Sequence, residues 1–400
     1  MRKQYLLITI LALVAQFAQA QFTLEGEFRP RTELFGSGQS STAADGSDAW
    51  LQTSVRAALM ATYKAENYTY YMSFQEVFLH GDRQQIAASG NGNFRVQEAW
   101  VDFKLDDKWS FKLGRQPLSY DDQRILGGLG WAQQARTHDV GIIKHKSGSF
   151  SLDAGYAVNT IGGAVYNNAT LFTYRNLGFV HAHTGSEKFN VSALLLNTTY
   201  QNGGDKSNLF TGGLHAKAKL GSLGLASNFY LQSGNRVGEV EVKGALLYSL
   251  DATYKVSDKV TILAGFESIG GKTDDSAAFF PLYGTNHKFN GLMDRFYVGN
   301  HGNAGGLVDI NFGAKFGLGK GWGLTAKFHT FSEESPNVST STENLGSEID
   351  LVIAKGFKGF KLVSGYSQFF EPDFVTGAKG TQNWAWAMII VKPKFLNTAK

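Results

Sequence analysis

Hydrophobic and charged residues alternate with a period of two along most of this chain. The segment 22–34 places its apolar residues on one parity and its acidic and basic residues on the other. The same alternation recurs in segments 210–220, 242–256, 308–318 and 322–328. Only a β-strand turns successive side chains to opposite faces, so the pattern predicts a chain built from strands.

The connections between the predicted strands alternate between short turns and long polar loops. Short turns are expected at 66–67, 106–108, 147–149, 186–188, 221–222, 257–259, 319–321 and 356–359. Longer polar segments lie between them, among them 36–48, 81–93, 117–137, 201–208, 270–305 and 333–346. Eight turns and nine loops join eighteen strands, or sixteen if the poorly patterned segment 160–184 adds none. An even strand count with both chain ends on the short-turn side is typical of bacterial outer-membrane barrels.

The predicted fold class is an all-β, transmembrane, antiparallel up-and-down β-barrel of 16–18 strands, with short periplasmic turns and long extracellular loops. A bilayer offers no water to backbone amides, so strands cross it only as a closed ring. Pro30 lies inside the first strand and cannot donate to a ladder, so we expect a bulge there beside the barrel seam. Aromatic residues beside the short turns indicate a girdle at one membrane interface: Tyr63, Tyr68, Trp109, Phe150, Phe189, Tyr254, Trp322 and Phe360.

The first twenty residues have the features of a secretory signal peptide. Arg2 and Lys3 precede a short apolar run over 6–15, and Ala18-Gln19-Ala20 fits a cleavage site. Residues 21–400 are then expected to form one barrel domain in the outer membrane of a Gram-negative bacterium.

Composition narrows the possible chemistry. The chain contains no cysteine, which excludes disulfides, cysteine nucleophiles and thiolate metal sites. Lysine and arginine number 38 against 34 aspartate and glutamate residues, so the overall charge points to no nucleic-acid or other anionic partner. Any electrostatic preference must come from where the charges lie.

The charged parity is expected to face the lumen, because a basic residue on the lipid face near the midplane costs about 2–4 kcal/mol. A barrel of this size can hold a water-filled channel, and its charges set solute preference. Alternatively, these side chains only pair with one another and hydrate the wall. The candidate pore residues are Arg29, Arg31, Arg56, Glu98, Asp102, Lys104, Lys112, Lys217, Lys315, Lys327 and Asp350.

Four segments carry a resemblance to a known family. The stretch 114–124 (GRQPLSYDDQR) and the following 131–139 (WAQQARTHD) resemble the alginate-export family of outer-membrane porins, as do 281–291 (PLYGTNHKFNG) and 345–351 (LGSEIDL). With the strands between them, the resemblance covers nearly the whole mature chain. It implies an eighteen-stranded barrel whose basic lumen passes an anionic sugar polymer.

The resemblance also implies a role for loop 117–137 as a constriction of the pore. Asp121, Asp122, Arg124 and Arg136 lie in this loop, and Arg115 precedes it. We expect Arg115 and Arg124 to contact solute, because a guanidinium can bind a carboxylate through two hydrogen bonds. Alternatively, the Asp–Arg pairs only brace the loop against the wall.

No catalytic residue, metal site or cofactor is predicted. The chain lacks G-x-S-x-G and H-E-x-x-H, and the one candidate pair, His138–Asp139, would point to opposite faces of a strand. We therefore expect a non-enzymatic channel in the lipid bilayer for passive passage of anionic oligo- or polysaccharides, polyuronates and small solutes. The alternatives are a barrel enzyme acting on lipid or sugar, and a non-conducting adhesin or structural barrel. The sequence does not decide whether the channel has a periplasmic export partner.

Overall fold

The structure is a computed structural model that describes residues 21–36, 49–81, 94–161, 164–165, 172–296, 305–335, 344–371 and 382–398. The predicted signal peptide, residues 1–20, lies outside these residues.

Within the described residues the chain forms twenty-one strand segments, and nineteen of them make up a closed antiparallel barrel of eighteen strands. In chain order the strands are β1 (Gln21–Phe35), β2 (Trp50–Lys64), β3 (Tyr68–Leu79), β4 (Arg95–Lys104), β5 (Trp109–Gln116), β6 (His138–Ser147), β7 (Phe150–Val158), β8 (Thr160–Ile161), β9 (Ala164–Val165), β10 (Asn176–Gly185), β11 (Phe189–Asn202), β12 (Asp205–Leu220), β13 (Leu223–Asn235), β14 (Glu241–Lys255), β15 (Val260–Ile269), β16 (Leu307–Gly319), β17 (Trp322–Ser332), β18 (Asn344–Phe357), β19 (Phe360–Phe370), β20 (Asn383–Val391) and β21 (Lys394–Asn397). Short 3-10 helices span Val237–Glu239 and Asn286–Lys288.

The ring closes at β1. Strands β8 and β9 pair only with each other, and β7 pairs directly with β10. Strands β20 and β21 form the two parts of the last barrel strand, and β1 pairs with both of them as well as with β2. The predicted barrel of eighteen strands, with eight short turns at one end, is confirmed.

Two local predictions are wrong. The loop expected at 201–208 is a tight hairpin, because β11 and β12 pair as far as Asn202 and Asp205 and Gly203 takes the left-handed backbone (φ 59°) that the turn needs. The bulge expected at Pro30 is absent. Strand β1 keeps one register to β20 on both sides of Pro30, and the seam shifts register only between Leu24 and Glu25.

Large apolar side chains cover the outward face of the barrel. Leu195 is 64% exposed, Phe229 50% and Phe312 58%, although each lies in the middle region of a strand. Exposed apolar surface on this scale fits lipid rather than water. The aromatic girdle is present as well, since Trp109 and Tyr254 beside the short turns are exposed. No helix in the described part of the chain is long and apolar enough to cross a membrane.

Phe229→Arg is expected to impair barrel folding, because it places a charge at the centre of β13 on the lipid face. The expected loss of folding free energy is about 2–4 kcal/mol. Denaturant titration of protein refolded into lipid vesicles measures this loss. Ala226→Arg is the matched control, because Ala226 lies in the same strand but lines an inner cavity. Equal losses for both variants would contradict the assigned faces.

The inner wall is apolar in the half of the barrel next to the long loops. Leu177, Leu194, Leu209, Leu247 and Leu307 face inward there and are at most 1% exposed. They belong to one hydrophobic cluster with residues of loop 117–137 and of the long loop after β15. The two-residue pattern did not predict these inward apolar residues, which pack against loops and not against lipid.

Candidate functional site

Two long loops fold into the barrel and meet inside it. The first is loop 117–137, between β5 and β6, and the second follows β15 and is described over 270–296. Their segments 123–127 and 283–285 run side by side, with hydrogen bonds from Gly127 N to Tyr283 O (2.8 Å) and from Thr285 N to Gln123 O (2.9 Å). We call these joined loops the partition.

Gly284 permits the close approach of the two segments. A Cβ at this position would lie 2.2 Å from the carbonyl oxygen of Arg124, a distance that a real Cβ cannot adopt without moving the backbone. On the facing segment, Gly128 is less constrained, because a Cβ there would meet only Pro117 at 3.5 Å. The glycine in the P-L-Y-G-T-N segment is thus explained by packing inside the pore.

Arg124 fastens the partition to the wall through a buried network. Its Nε and Nη2 atoms donate to the two carboxylate oxygens of Glu267 at 2.8 and 2.7 Å, and its Nη1 donates to Asn286 Oδ1 at 2.9 Å. Its guanidinium also lies 4.5 Å from the centre of the Phe289 ring. Arg124 is 2% exposed, so the guanidinium is closed off from solute. This geometry is that of a brace.

Four arginines from β1, β2 and β4 hold the second half of loop 117–137 by its backbone carbonyl oxygens. The hydrogen bonds have donor–acceptor distances of 2.5–3.0 Å and run from Arg29 to Gly130, Arg31 to Trp131, Arg56 to Gln133 and Arg95 to Gln134. Glu33 lies 2.9 Å from Arg31 and Glu27 lies 3.6 Å from Arg56, so carboxylates offset part of this charge.

Asp121 and Asp122 tether the first half of the same loop to another part of the wall. Asp121 accepts a hydrogen bond from Ser192 Oγ at 2.5 Å and lies 3.0 Å from His181 Nε2, and Asp122 accepts one from Asn228 at 2.7 Å. Burial acts to raise the pKa of Asp121, but the hydrogen bonds from His181 and Ser192 outweigh it and leave this pKa below its usual value. The Asp121 tether therefore persists into mildly acidic solution.

The second loop rests on acidic side chains of β18. The backbone N–H of Met293 donates to Glu348 at 2.9 Å, and that of Leu292 donates to Asp350 at 3.2 Å. Asp350 also accepts a hydrogen bond from Ser367, and both acids are buried. Asp350 therefore supports the partition and does not line open lumen.

Cavities flank the partition on both sides. An outer cavity of about 600 Å³ lies between segment 131–134, segment 292–294 and the long-loop ends of β1 and β3. An inner cavity of about 430 Å³ lies toward the short-turn end, below segments 121–123 and 288–290 and against the wall from β12 to β17.

Lysines dominate the open charge of the inner cavity. Lys217, Lys315 and Lys327 line it, and none of the three forms an ion pair within the described part of the chain. Lys288 reaches down from the partition, and burial lowers the pKa of its ammonium group although Asp122 acts in the opposite direction. Four other carboxylates that border the cavity are engaged by Arg124 or by histidines: Asp121, Asp122, Glu267 and Asp309. Asp251 is the lining carboxylate without an ion pair among the described residues, so among the unpaired groups the lysines outnumber the carboxylates.

The structure divides the sixteen candidate residues by location. Those that brace the partition are Arg29, Arg31, Arg56, Asp121, Asp122, Arg124, Arg136 and Asp350. Those on the inner wall of β4 and β5 are Glu98, Asp102, Lys104 and Lys112. Those at the inner cavity are Lys217, Lys315 and Lys327. Sequence reasoning missed Arg95, Glu267, Asn286 and Asn290, which only the folded loops bring to Arg124 and to segment 130–134.

Arg115 requires a correction, because it faces away from the lumen. It shares the outward parity of Leu113, which is 51% exposed, and donates to both carboxylate oxygens of Asp139 at 2.8 and 2.6 Å. Gln116, the next residue of the strand, takes the inward orientation and is buried, as is expected from the alternation that leaves Gly114 inward as well. The expected solute contact of Arg115 is therefore wrong.

His138 and Asp139 lie on opposite sides of the wall. The Nδ1 atom of His138 is 2.8 Å from the hydroxyl of Tyr174 inside the barrel, whereas Asp139 pairs with Arg115 outside it. The two side chains therefore cannot act on one substrate. Among the described residues, no cluster of three or more metal-binding side chains occurs.

The short-turn end of the barrel carries lysine and no arginine. When each of the eight turns is taken as the residues between the two strands it joins, twelve lysines lie in these turns or within three residues of them, against six acidic residues. These lysines are Lys64, Lys104, Lys108, Lys146, Lys188, Lys219, Lys255, Lys259, Lys320, Lys355, Lys358 and Lys361.

Solved structures of outer-membrane porins share this fold. OccK5 (OpdH) of Pseudomonas aeruginosa superposes with a TM-score of 0.63 at 10% identity, covering 94% of this chain and 99% of that one. OccAB4 of Acinetobacter baumannii superposes with a TM-score of 0.64 at 13% identity, covering 94% of this chain and 98% of that one. A BenF-like porin from Pseudomonas fluorescens Pf-5 superposes with a TM-score of 0.63 at 13% identity, covering 94% of this chain and 99% of that one. No protein-family model and no curated protein matches the chain.

These comparisons establish the architecture. At such identities the likeness shows the fold alone, a closed eighteen-strand barrel like those of these porins. A closed barrel with an apolar outer face is the form in which strands span an outer membrane, which agrees with the predicted location. The short-turn end is accordingly the periplasmic end. The alginate-export family indicated by the four sequence segments is not shown by any of these matches.

Proposed function

We propose that this chain is a passive outer-membrane channel, not an enzyme, and that it favours small anionic solutes, carboxylated sugars among them. The observation that carries the proposal is the inner cavity, where Lys217, Lys315 and Lys327 face the lumen without an ion pair among the described residues. Unpaired ammonium groups in a pore attract anions and repel cations. The porin fold of the structural neighbours supports a channel, and the sequence resemblance supports uronates as the sugars.

Replacing Lys217, Lys315 and Lys327 together by glutamine is expected to reduce the anion preference. The chloride-to-potassium permeability ratio should fall about threefold toward one, because the neutral amides no longer attract chloride. Reversal potentials of single channels in a KCl gradient measure this ratio. Arg115→Gln serves as the control and should leave it unchanged, since Arg115 lies outside the barrel. An unchanged ratio in the triple variant would remove the lysines from the selectivity mechanism.

The carboxylate preference is tested separately with sugar oligomers of one length. Oligouronates are expected to reduce the current at lower concentration than neutral oligosaccharides, because their carboxylates meet the unpaired lysines. Equal reduction by both oligomers would leave a channel without this preference. Folded protein that conducts no ions at all would contradict the channel and favour the non-conducting barrel.

A further inference from the structure

A set of lysines at the periplasmic mouth points into the pore. Each is adjacent in sequence to an outward-facing residue, such as Leu220 (63% exposed) beside Lys219 and Tyr254 (52% exposed) beside Lys255. Because side chains alternate along a strand, the lysines face the lumen. This lysine ring consists of Lys64, Lys104, Lys146, Lys219, Lys255 and Lys361.

Most of the lysine ring carries charge that nearby acids do not neutralise. Lys104 and Lys255 lie 2.8 and 2.7 Å from Asp107 and Asp258 in their own turns. Both carboxylates are more than nine-tenths exposed, so these ion pairs are weak. The other four lysines are exposed and form no ion pair among the described residues.

The two ends of the chain's barrel differ in the sign of their charge. Seven of the nine connections at the extracellular end take no part in the partition, and these seven contain nine acidic and four basic residues by sequence. The periplasmic turns and their flanks contain twelve lysines against six acids. Charges of one sign around a low-dielectric opening raise the local concentration of ions of the other sign. An anion therefore meets an attractive field at the periplasmic mouth and an unfavourable one outside.

We infer that the lysine ring is an anion-capture site, through which multivalent anions enter the channel more readily from the periplasm than from outside. This inference rests on the proposed function, because it assigns a side to an anion-favouring channel. It concerns the entry step, which precedes passage of the partition. Lysine suits this role, since its ammonium is a compact, hydrated charge that attracts anions without holding one geometry.

One-sided current block by tripolyphosphate tests the inference. The absence of cysteine in the chain allows channel orientation to be set, since Ser222→Cys creates a single thiol in a periplasmic turn. A membrane-impermeant maleimide–biotin with streptavidin then closes only channels whose periplasmic end faces the treated chamber. After recording, this step identifies the orientation of each channel.

Tripolyphosphate added on the periplasmic side is expected to block half of the current at a concentration about tenfold lower than on the extracellular side, in about 0.1 M KCl. In about 1 M KCl the difference should vanish, because the Debye length falls to about 3 Å. Replacing Lys64, Lys146, Lys219 and Lys361 by glutamine should reduce the difference to less than twofold.

A matched variant removes lysines from the other end of the barrel. Replacing Lys206, Lys243 and Lys272 by glutamine should preserve the difference in blocking concentration between the two sides. Equal block from both sides in the wild-type channel, or a difference that survives loss of the lysine ring, would overturn the inference. Either result would leave the proposed function intact if the reversal potential still indicates anion preference. Absence of conductance would instead overturn the channel itself.

Discussion

Arg124→Ala is expected to raise the single-channel conductance about threefold or more. The substitution removes the guanidinium that ties loop 117–137 to Glu267 and Asn286 and leaves the Glu267 carboxylate buried without its partner. Breaking a buried ion pair in this way costs about 3–5 kcal/mol. The partition can avoid that cost by leaving the wall, which opens the pore and hydrates Glu267. Planar-bilayer recording measures the conductance.

A second variant separates the loss of the brace from the loss of a positive charge. Arg124→Met combined with Glu267→Leu removes both members of the pair. Its single-channel conductance is expected to lie between those of the wild-type channel and Arg124→Ala, because no buried charge is left without a partner. The chloride-to-potassium permeability ratio should change little in Arg124→Ala, since Arg124 does not face solute. A large drop in that ratio at unchanged conductance would contradict the brace and would indicate that Arg124 contacts solute.

Gly284→Ala is expected to open the pore to a similar extent. Its Cβ would lie 2.2 Å from the carbonyl oxygen of Arg124, so the parallel segments 123–127 and 283–285 must separate and lose their hydrogen bonds. Conductance and its fluctuations in planar bilayers measure the result. Gly128→Ala is the matched control, because its Cβ meets Pro117 at an ordinary 3.5 Å and should leave the conductance unchanged.

Combining Gly284→Ala with Arg124→Ala tests whether both act on one partition. The combined conductance should not exceed that of either single variant by much, because a partition that has already opened has no further contact to lose. If the increase in the combined variant instead equals the product of the increases in the two single variants, the two residues control different parts of the pore. A closed Gly284→Ala channel would contradict the close packing assigned to these segments.

The barrel itself follows from local sequence pattern. Alternation at Lys217, Lys219 and Tyr254 assigns each side chain to one face of a strand, and short Gly, Ser and Asp turns mark where strands reverse. Both features depend on residues that are neighbours in the chain, and for that reason they can be predicted without coordinates. The hairpin at Gly203 escaped prediction because a two-residue turn inside a polar stretch looks like a loop.

The residues of the partition could not be assigned in this way. Arg124 and Glu267 are 143 positions apart, and nothing near either residue indicates which carboxylate the guanidinium will meet. The inward leucines at 194 and 247 left one signal, a loss of alternation in their apolar runs, but that signal does not name what covers them.

The sequence by itself determined the closed barrel and most of the assignment of side chains to its two faces, because in a bilayer the two-residue period favours one orientation for charged side chains. Only the tertiary structure decided which charges remain open to solute. It turned Arg115 outward, buried Arg124 against Glu267, held Arg29 and Arg56 by loop carbonyls, and left Lys217, Lys315 and Lys327 facing the cavity. Those outcomes depend on how two long loops fill the lumen, and long-range packing of that kind has no local period.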